Sequence, residues 1–536
     1  MANIEINSIY GGIQPTLNFG PESSYLGACA IDPDENVGSR ISGTISPVAY
    51  TKTTGVSDVM WMEANDKDDD TYYYTSDGKF GKIDVTGGTT EVSALASASG
   101  NGLKYFNNYY YIARDEDVVR YGPMDGTPSL ETSMTTNGVT ISLSNKVMEA
   151  IGSYDIPNHQ IFTHLNNRMY VVDTADERRG TIHGINAYDF IVTNTVTSFV
   201  IGDIATGETS GATGTIIGTA DSTEKGLMLI NVDGTFQDGE TVTGTTGGSA
   251  TISGTLKPGY YPVVLRNELS LKDGYYPTCI EQFGMDVVIG AMSEKDSRLF
   301  FWDGSADSFY IDPILPYPII SALLNMNGSL YVFGGTDTLS LGQYVGEETV
   351  REIYALDHGS LPLQGAVKGL KNRIVFGSKQ TYPETRGCVW AWDTKNRALH
   401  NIVSTDEQVS ALIQKDDDLR ISDSAGLYEK GTTGYDSIFR SEMINFSQPF
   451  TIDKLTIPFS ETFGTGANAT VVKATLHYDN DRVTDEHTIT LEEGSRTFTI
   501  HPNQQGTTNF YIEITLKGNT FVSVNLPIRC EYTIHE

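Results

Sequence analysis

Phe283-Gly284-Met285-Asp286-Val287-Val288-Ile289 and, further along, Met326-Asn327-Gly328-Ser329-Leu330-Tyr331-Val332 follow one plan. An apolar residue leads into a turn of Gly, Asn or Asp, and a run of β-branched and aromatic residues follows. Gly and Asn accept the positive φ of a tight turn, and branched or aromatic side chains suit the pleated surface of a strand. The plan returns at Leu370-Lys371-Asn372-Arg373-Ile374-Val375-Phe376 and, more loosely, from Ile413, where Asp416-Asp417-Asp418 is the turn. Earlier copies are Phe106-Asn107-Asn108-Tyr109-Tyr110-Tyr111-Ile112 and Leu165-Asn166-Asn167-Arg168-Met169-Tyr170-Val171. The steps from Phe283 to Met326, Leu370 and Ile413 are 43, 44 and 43 residues. A period of about 40–50 residues made of short strands belongs to propeller blades. One four-stranded blade cannot bury both its faces; blades stacked side by side can, and they leave only short edges.

A second register agrees with the first. Val92-Ser93-Ala94-Leu95, Ile320-Ser321-Ala322-Leu323 and Val409-Ser410-Ala411-Leu412 are near copies, and the last two lie 89 residues apart, two periods. A first unit runs from Val59-Met60-Trp61 through Tyr72-Tyr73-Tyr74 to the turn at Asp77-Gly78. The spacing predicts an all-β chain with about seven blades over roughly residues 55–432. The step from Leu165 to Phe283 is far too long for one blade, and its excess is a Gly- and Thr-rich stretch at 196–256 with a repeat of its own. At an offset of 37, Phe199 matches Phe236, Gly202 matches Gly239, Asp203 matches Glu240, Gly207 matches Gly244, Thr209 matches Thr246 and Gly211 matches Gly248. Low-complexity linkers do not keep Phe and Gly at matched offsets, so this is a small β-domain of two similar hairpin units. After about 433 the period stops. Alternating strands such as Thr470–Leu476, Arg496–Ile500, Asn509–Ile514 and Phe521–Leu526 predict a C-terminal β-sandwich. The predicted layout is an extended arm at 1–54, propeller at 55–195 and 257–432, inserted β-domain at 196–256, and sandwich at 433–536. The arm is expected to pair with a blade or with a neighbouring subunit, so that trimming about the first 50 residues would weaken incorporation into particles more than folding.

Composition narrows function. The 536 residues carry 68 acidic against 36 basic side chains, a formal net charge of −32. Phosphate backbones and anionic membranes are bound by clustered Lys and Arg, so neither a dedicated nucleic-acid partner nor attraction to an anionic membrane is expected. No basic region followed by an apolar run opens the chain, and no stretch approaches the 18 or so apolar residues of a helical span. Synthesis in a reducing cytoplasm without membrane insertion is the expectation. Cys29, Cys279, Cys388 and Cys530 are widely spaced, as buried thiols rather than metal ligands would be.

Motifs for catalysis give no positive signal, and no catalytic, cofactor-binding or metal-binding residue is assigned. Repeated Asp-box turns ending in Trp do not occur. Trp302-Asp303 and Trp392-Asp393 end strands, without the upstream Gly-His of WD-repeat blades. Asp66-Lys67-Asp68-Asp69-Asp70, Asp115-Glu116-Asp117 and Asp416-Asp417-Asp418 lack the spacing of a dedicated calcium loop and read as hairpin turns. Neither His-Glu-x-x-His nor a nucleotide-binding fingerprint is present, and Ser441 and Ser460 lack nucleophile-elbow glycines.

Three features together resemble structural proteins of tailed bacteriophages. They are the Gly207-Glu208-Thr209…Gly211-Ala212-Thr213-Gly214 and Gly239-Glu240-Thr241-Val242…Gly244 pattern, the opening Gly11-Gly12-Ile13 arm before the blades, and a C-terminal sandwich behind a propeller. The resemblance is to tail-nozzle, tail-tube and tail-hub proteins. It implies a non-enzymatic virion component, made in the bacterial host cytoplasm, that forms a ring, typically of six, around the DNA channel and binds other tail proteins. A second reading is a tail fibre or adhesin whose exposed tyrosines (Tyr72–Tyr74, Tyr109–Tyr111, Tyr260-Tyr261, Tyr275-Tyr276) stack on host-surface glycan. A third is a glycan depolymerase. The same tyrosines suit blade cores, and the chain has no heptad-rich trimerisation shaft.

Overall fold

The computed structural model describes residues 2–6, 25–29, 50–140 and 162–535, with gaps of which the longest are 96–99, 174–178, 381–385, 431–436, 460–470, 491–495 and 518–523. The chain forms two compact units: residues 60–329 with 344–350, and residues 1–59 with 330–343 and 351–536. Among the described residues the one helical element is a single 3-10 turn at Gln364–Ala366, and everything else regular is β.

Six sheets of three or four antiparallel strands have the size and up-and-down order of blades. They cover Val59–Ala64 to Thr89–Ala94, Gly102–Phe106 to Ser129–Glu131, Tyr276–Phe283 to Ser297–Trp302, Ile319–Met326 to Val350–Asp357, and Val367–Leu370 to Ala398–Thr405. The sixth combines Val409–Lys415, Asp418–Asp423 and Gly426–Lys430 with Tyr50–Thr53 from near the start of the chain. Among the described residues the architecture is a β-propeller of six blades, not about seven. The difference lies at the repeat copy Leu165–Val171, which makes no sheet of its own. Phe162–Leu165, Arg168–Asp173, Thr181–Val192 and Lys257–Ser270 are bonded into one nine-stranded sheet with five strands of the 196–256 stretch. The cause is the length of Thr181–Val192. Its first half pairs with Arg168–Asp173, and its far end, Asp189–Val192, pairs with Gly226–Leu229. Asn166 and Asn167 of that copy, like Lys371, Asp416 and Asp417 of two others, lie outside the described residues.

The second blade shows why a strand here is apolar on both sides. Successive side chains of a strand point to opposite faces. Tyr109, Tyr111 and Ala113 pack with Met169, Val171, Ile185 and Ala187 on one side. Tyr110 and Ile112 pack with Tyr72, Tyr74 and Phe80 of the first blade on the other. All five residues of Tyr109–Ala113 are therefore buried, and Tyr72 lies against Tyr110 with ring centroids 4.4 Å apart. The fifth and sixth sheets share a core in the same way, through Val375, Val389, Val403, Leu412, Ile421 and Tyr428.

The described parts of the first 54 residues pair within the chain. Ala2–Ile6 lies beside Ile528–Ile534, Tyr25–Cys29 beside Ser437–Ser441, and Tyr50–Thr53 beside Gly426–Lys430. Lys52 Nζ also meets Asp406 at 2.7 Å. Seven described strands after 436 form one hydrogen-bonded sheet, which Ala2–Ile6 and Tyr25–Cys29 extend to nine. Ile444–Pro458, fifteen residues long, pairs in succession with Gln505–Lys517, Ile528–Ile534 and Thr497–Ile500. Val472, Ala474, Leu476 and Tyr478 are fully buried at period two. Thr470 and Phe521 to Ser523 of the expected strands lie outside the described residues.

Candidate interaction surface

The 196–256 stretch is built on a pseudo-two-fold axis. Ile204–Gly207 pairs antiparallel with Thr241–Gly244, with Thr206 opposite Thr243. Those two residues are equivalents at the offset of 37, so the repeat meets itself at this pair. Ala205 and Val242, equivalents as well and fully buried, face one shared core with Ala212, Ile216, Leu229, Phe236 and Ile252.

The matched carboxylates exchange partners across the axis. Asp203 Oδ2 accepts the backbone N–H of Thr246 at 3.0 Å and its hydroxyl at 2.7 Å. Glu240, from the other half, accepts the N–H groups of Thr209 (3.1 Å), Ser210 (2.9 Å) and Gln237 (2.5 Å), and the Ser210 hydroxyl at 2.8 Å. Burial opposes its charge, yet the N–H groups of Gln237 and Ser210 hold the Glu240 carboxyl below its ordinary value. The matched glycines make room for these carboxylates. A Cβ at Gly207 would stand 2.7 Å from Glu240 Oε1, and one at Gly244 3.1 Å from Asp203 Oδ2. Asp203 and Glu240 thus form a structural lock, each closing a loop of the other half.

The neck of this stretch is tied to the second blade. Arg120 is buried and donates to Glu131 (2.7 Å) and to the carbonyl of Tyr260 (2.9 Å), with its guanidinium 4.2 Å from the Tyr109 ring centroid. Asn107 Nδ2 donates to the Ala187 carbonyl at 2.7 Å, and Gly259 N–H donates to Asp189 at 2.9 Å. Gly259 has φ +63, and a Cβ there would overlap the Asn107 carbonyl oxygen. Burial raises the Asp189 carboxyl above its ordinary range, against the pull of the Gly259 N–H. Phe190 has Tyr260 and Tyr261 as near-parallel ring neighbours, each 5.6 Å away.

Solvent-facing apolar residues concentrate in two places on this unit. One is the turn at the start of the first half, where Val200 is 50% exposed, Ile201 69% and Ile204 49%. The other surrounds the hairpin end Gly284-Met285 of the third blade, with Met285, Tyr310 and Val345 all more than half exposed. Tyr310 donates to Asp286 at 2.5 Å. Beneath it, Tyr344 packs 4.7 Å from Phe301 and 6.1 Å from Phe283. Sequence reasoning passed over both places. The first was legible: the offset that aligns the halves puts Val200 and Ile201 opposite Gln237 and Asp238.

The residues singled out for glycan or metal binding are otherwise occupied. Tyr72 to Tyr74 and Tyr109 to Tyr111 are buried, leaving Tyr260, Tyr261, Tyr275 and Tyr276 half-buried. Asp68 accepts the Asn65 amide (3.0 Å), the Asp70 N–H (3.2 Å) and the Tyr72 hydroxyl (3.0 Å), and Asp70 meets Lys82 at 2.6 Å. Asp117 pairs with Arg114, and Asp115 accepts from Asn101 at 3.0 Å; Glu116 and Ser460 lie outside the described residues. No group of three metal-ligating side chains occurs among the described residues. Trp302 is fully buried at its strand end, and Asp303 accepts the N–H groups of Ser305 and Ala306 in the next turn. Burial pushes the Cys279 and Cys530 thiols up to about 12, which removes the thiolate a nucleophile needs. Ser441 is buried and its hydroxyl accepts the Ile512 N–H at 3.0 Å.

No protein-family model matches the chain, and no curated protein does. Among solved structures, the β-propeller domain of Cps50 (Swd1) from Myceliophteria thermophila is similar at 10% identity and a TM-score of 0.40, over 72% of this chain and 100% of that one. The computationally designed protein Ika8 is similar at 15% identity and a TM-score of 0.38, over 71% and 98%. The Dos1 propeller is similar at 11% identity and a TM-score of 0.33, over 71% and 81%. Likenesses this distant say nothing of function, and the propeller rests on the sheets described above.

Proposed function

We propose that this chain is a non-enzymatic structural component of a bacteriophage tail, of the nozzle or tail-hub kind, that assembles in a ring and binds other tail proteins. One observation carries the reading: polar and titratable side chains are spent on closing turns and tying strands, while large apolar side chains are presented to solvent at the 199–204 turn and beside Met285. Such a surface suits docking rather than bond-making. In this reading 196–256 is a projecting β-module, 433–536 is a β-sandwich for attachment, and the acidic surface lets DNA slide past without adhering. The second reading, an adhesin for host-surface glycan, draws on the Tyr310 and Tyr344 rings beside Asp286, since aromatic faces with a neighbouring carboxylate suit sugars.

Incorporation into particles tests the proposal. The tagged chain should co-purify with assembled tails in a fixed ring stoichiometry and should release no oligosaccharide from host-envelope polysaccharide. A stable trimer that binds host glycan at micromolar affinity would replace it with the adhesin, and hydrolysis that follows the intact protein would make it a depolymerase.

A further inference from the structure

The fifth sheet buries a row of polar groups in a layer of rings. In the paired strands Arg386–Asp393 and Ala398–Thr405, Trp390 lies opposite Asn401 and Cys388 opposite Ser404, and a bulge between the two pairs leaves Ile402 unpaired. Opposed residues share a face of a sheet, and so do residues two apart on one strand. The four side chains therefore stand on one side. Val389, Ala391, Ile402 and Val403 belong to the core shared with the sixth sheet, on the other side. The polar side faces aromatic neighbours: Phe376 lies 5.1 Å from Phe333, and Trp392 lies 5.1 Å from Tyr354, both of the fourth sheet. Cys388, Trp390, Asn401 and Ser404 are at most 2% exposed. The Cys388 thiol fixes how they bond. It donates to the Arg386 carbonyl at 3.7 Å, which leaves the sulfur to accept, and Asn401 Nδ2 donates to it at 3.1 Å. Turning the amide over would leave the sulfur without its donor and Nδ2 without an acceptor. Asn401 Oδ1, the Ser404 hydroxyl and the Trp390 indole N–H are shielded from solvent and bond to no described residue.

We propose that this row binds an internal water molecule between the fourth and fifth sheets. Buried polar groups are nearly always hydrogen-bonded, and aromatic neighbours supply no strong partner. Water matches what is on offer. It can accept the Trp390 N–H, donate to Asn401 Oδ1, and bond to Ser404 Oγ in either sense, and about three partners is the usual number for a buried water. The set is uncharged, so an ion in its place would go uncompensated. The bulge makes the site. It brings Asn401 and Ser404, three apart in sequence, onto one face, and the water bridges the two strands where the bulge interrupts their ladder.

A high-resolution crystal structure of the full chain tests this, together with proton spectra of the intact protein carrying isotope-labelled indoles. The crystal should show an ordered density peak within hydrogen-bond distance of at least two of Trp390 Nε1, Asn401 Oδ1 and Ser404 Oγ. In solution the Trp390 indole proton, assigned through Trp390→Phe, should transfer magnetisation to long-lived water. Trp302 is the internal control: its N–H donates to the Ala306 carbonyl at 2.7 Å, and it should show no such transfer. Asn401→Leu with Ser404→Ala removes two of the three partners and should abolish both the density and the transfer, with far-UV circular dichroism as the check on folding. Should that variant not fold, the wild-type measurements decide alone. Density bonded to fewer than two of the three atoms, or a Trp390 proton with no transfer to water, overturns the site. A transfer that survives in the folded double variant overturns it too.

Discussion

The strand Tyr109–Ala113 and the strand Ile204–Gly207 belong to the same unit but are stabilised in different ways. The first is buried at every residue, because each face meets a different neighbouring sheet. The second is buried only at Ala205 and Gly207, and what covers it is the other copy of its own repeat. A blade draws its stability from its neighbours, whereas the two repeats of 196–256 share one strand pair and one core, which Ile191 of Thr181–Val192 joins. Duplication serves both regions: among the described residues, six times over in the blades and twice in 196–256.

Deletion of residues 1–54 should have the largest effect. This removes the fourth strand of the last blade and two strands of the C-terminal sheet, so no cooperatively folding protein should remain. Survival of a sharp thermal transition would show those pairings to be dispensable. Next in size, Tyr110→Ala removes a fully buried ring shared by two blades. It should cost about 3–5 kcal/mol, read as a shift of the denaturant midpoint, while amide protection within 204–252 stays as in wild type.

Glu240→Gln sharpens the other side. An amide cannot accept every N–H that the carboxylate accepts, and a buried donor left without an acceptor costs about 1–3 kcal/mol. The loss should appear as faster hydrogen exchange at Thr209 and Ser210. Because the folded-state carboxyl titrates below its ordinary 4.5, its contribution is present above that pH and fades as pH falls through the folded value. Wild-type and variant modules should therefore converge in acid, and a gap that widens there would rule out the assigned lock. The smallest effect is expected from replacing 196–256 with a short linker. Thr193 bridges to Ile252 and Phe190 pairs with Lys257, so the cut ends already lie together. The remaining blades should melt cooperatively within a few degrees of the parent.

Much of this was legible in the sequence. The period of 43 residues gave the blades, because each copy spends Gly, Asn or Asp on a turn and branched or aromatic residues on the strand after it. The repeat of 37 gave the two halves of 196–256, down to the equivalence of Asp203 and Glu240. The blade count went astray at Leu165–Val171, since a local pattern predicts a strand but not how far Thr181–Val192 continues past its blade. Pairing of Ala2–Ile6 with Ile528–Ile534 was hidden as well: partners more than five hundred residues apart leave no periodic trace. The exposed turn at Val200 was legible only through the repeat of 37. Apolar residues in a β-rich chain are by default core, and only the matched Gln237 and Asp238 show otherwise.

The assembly state of the intact chain, measured by native mass as salt and concentration rise, is the most direct test. The chain should be a monomer at low salt and low concentration, giving way to closed rings of one defined stoichiometry as the repulsion between chains of charge −32 is screened. A stable trimer already present at low salt, or a monomer under every condition, would contradict this.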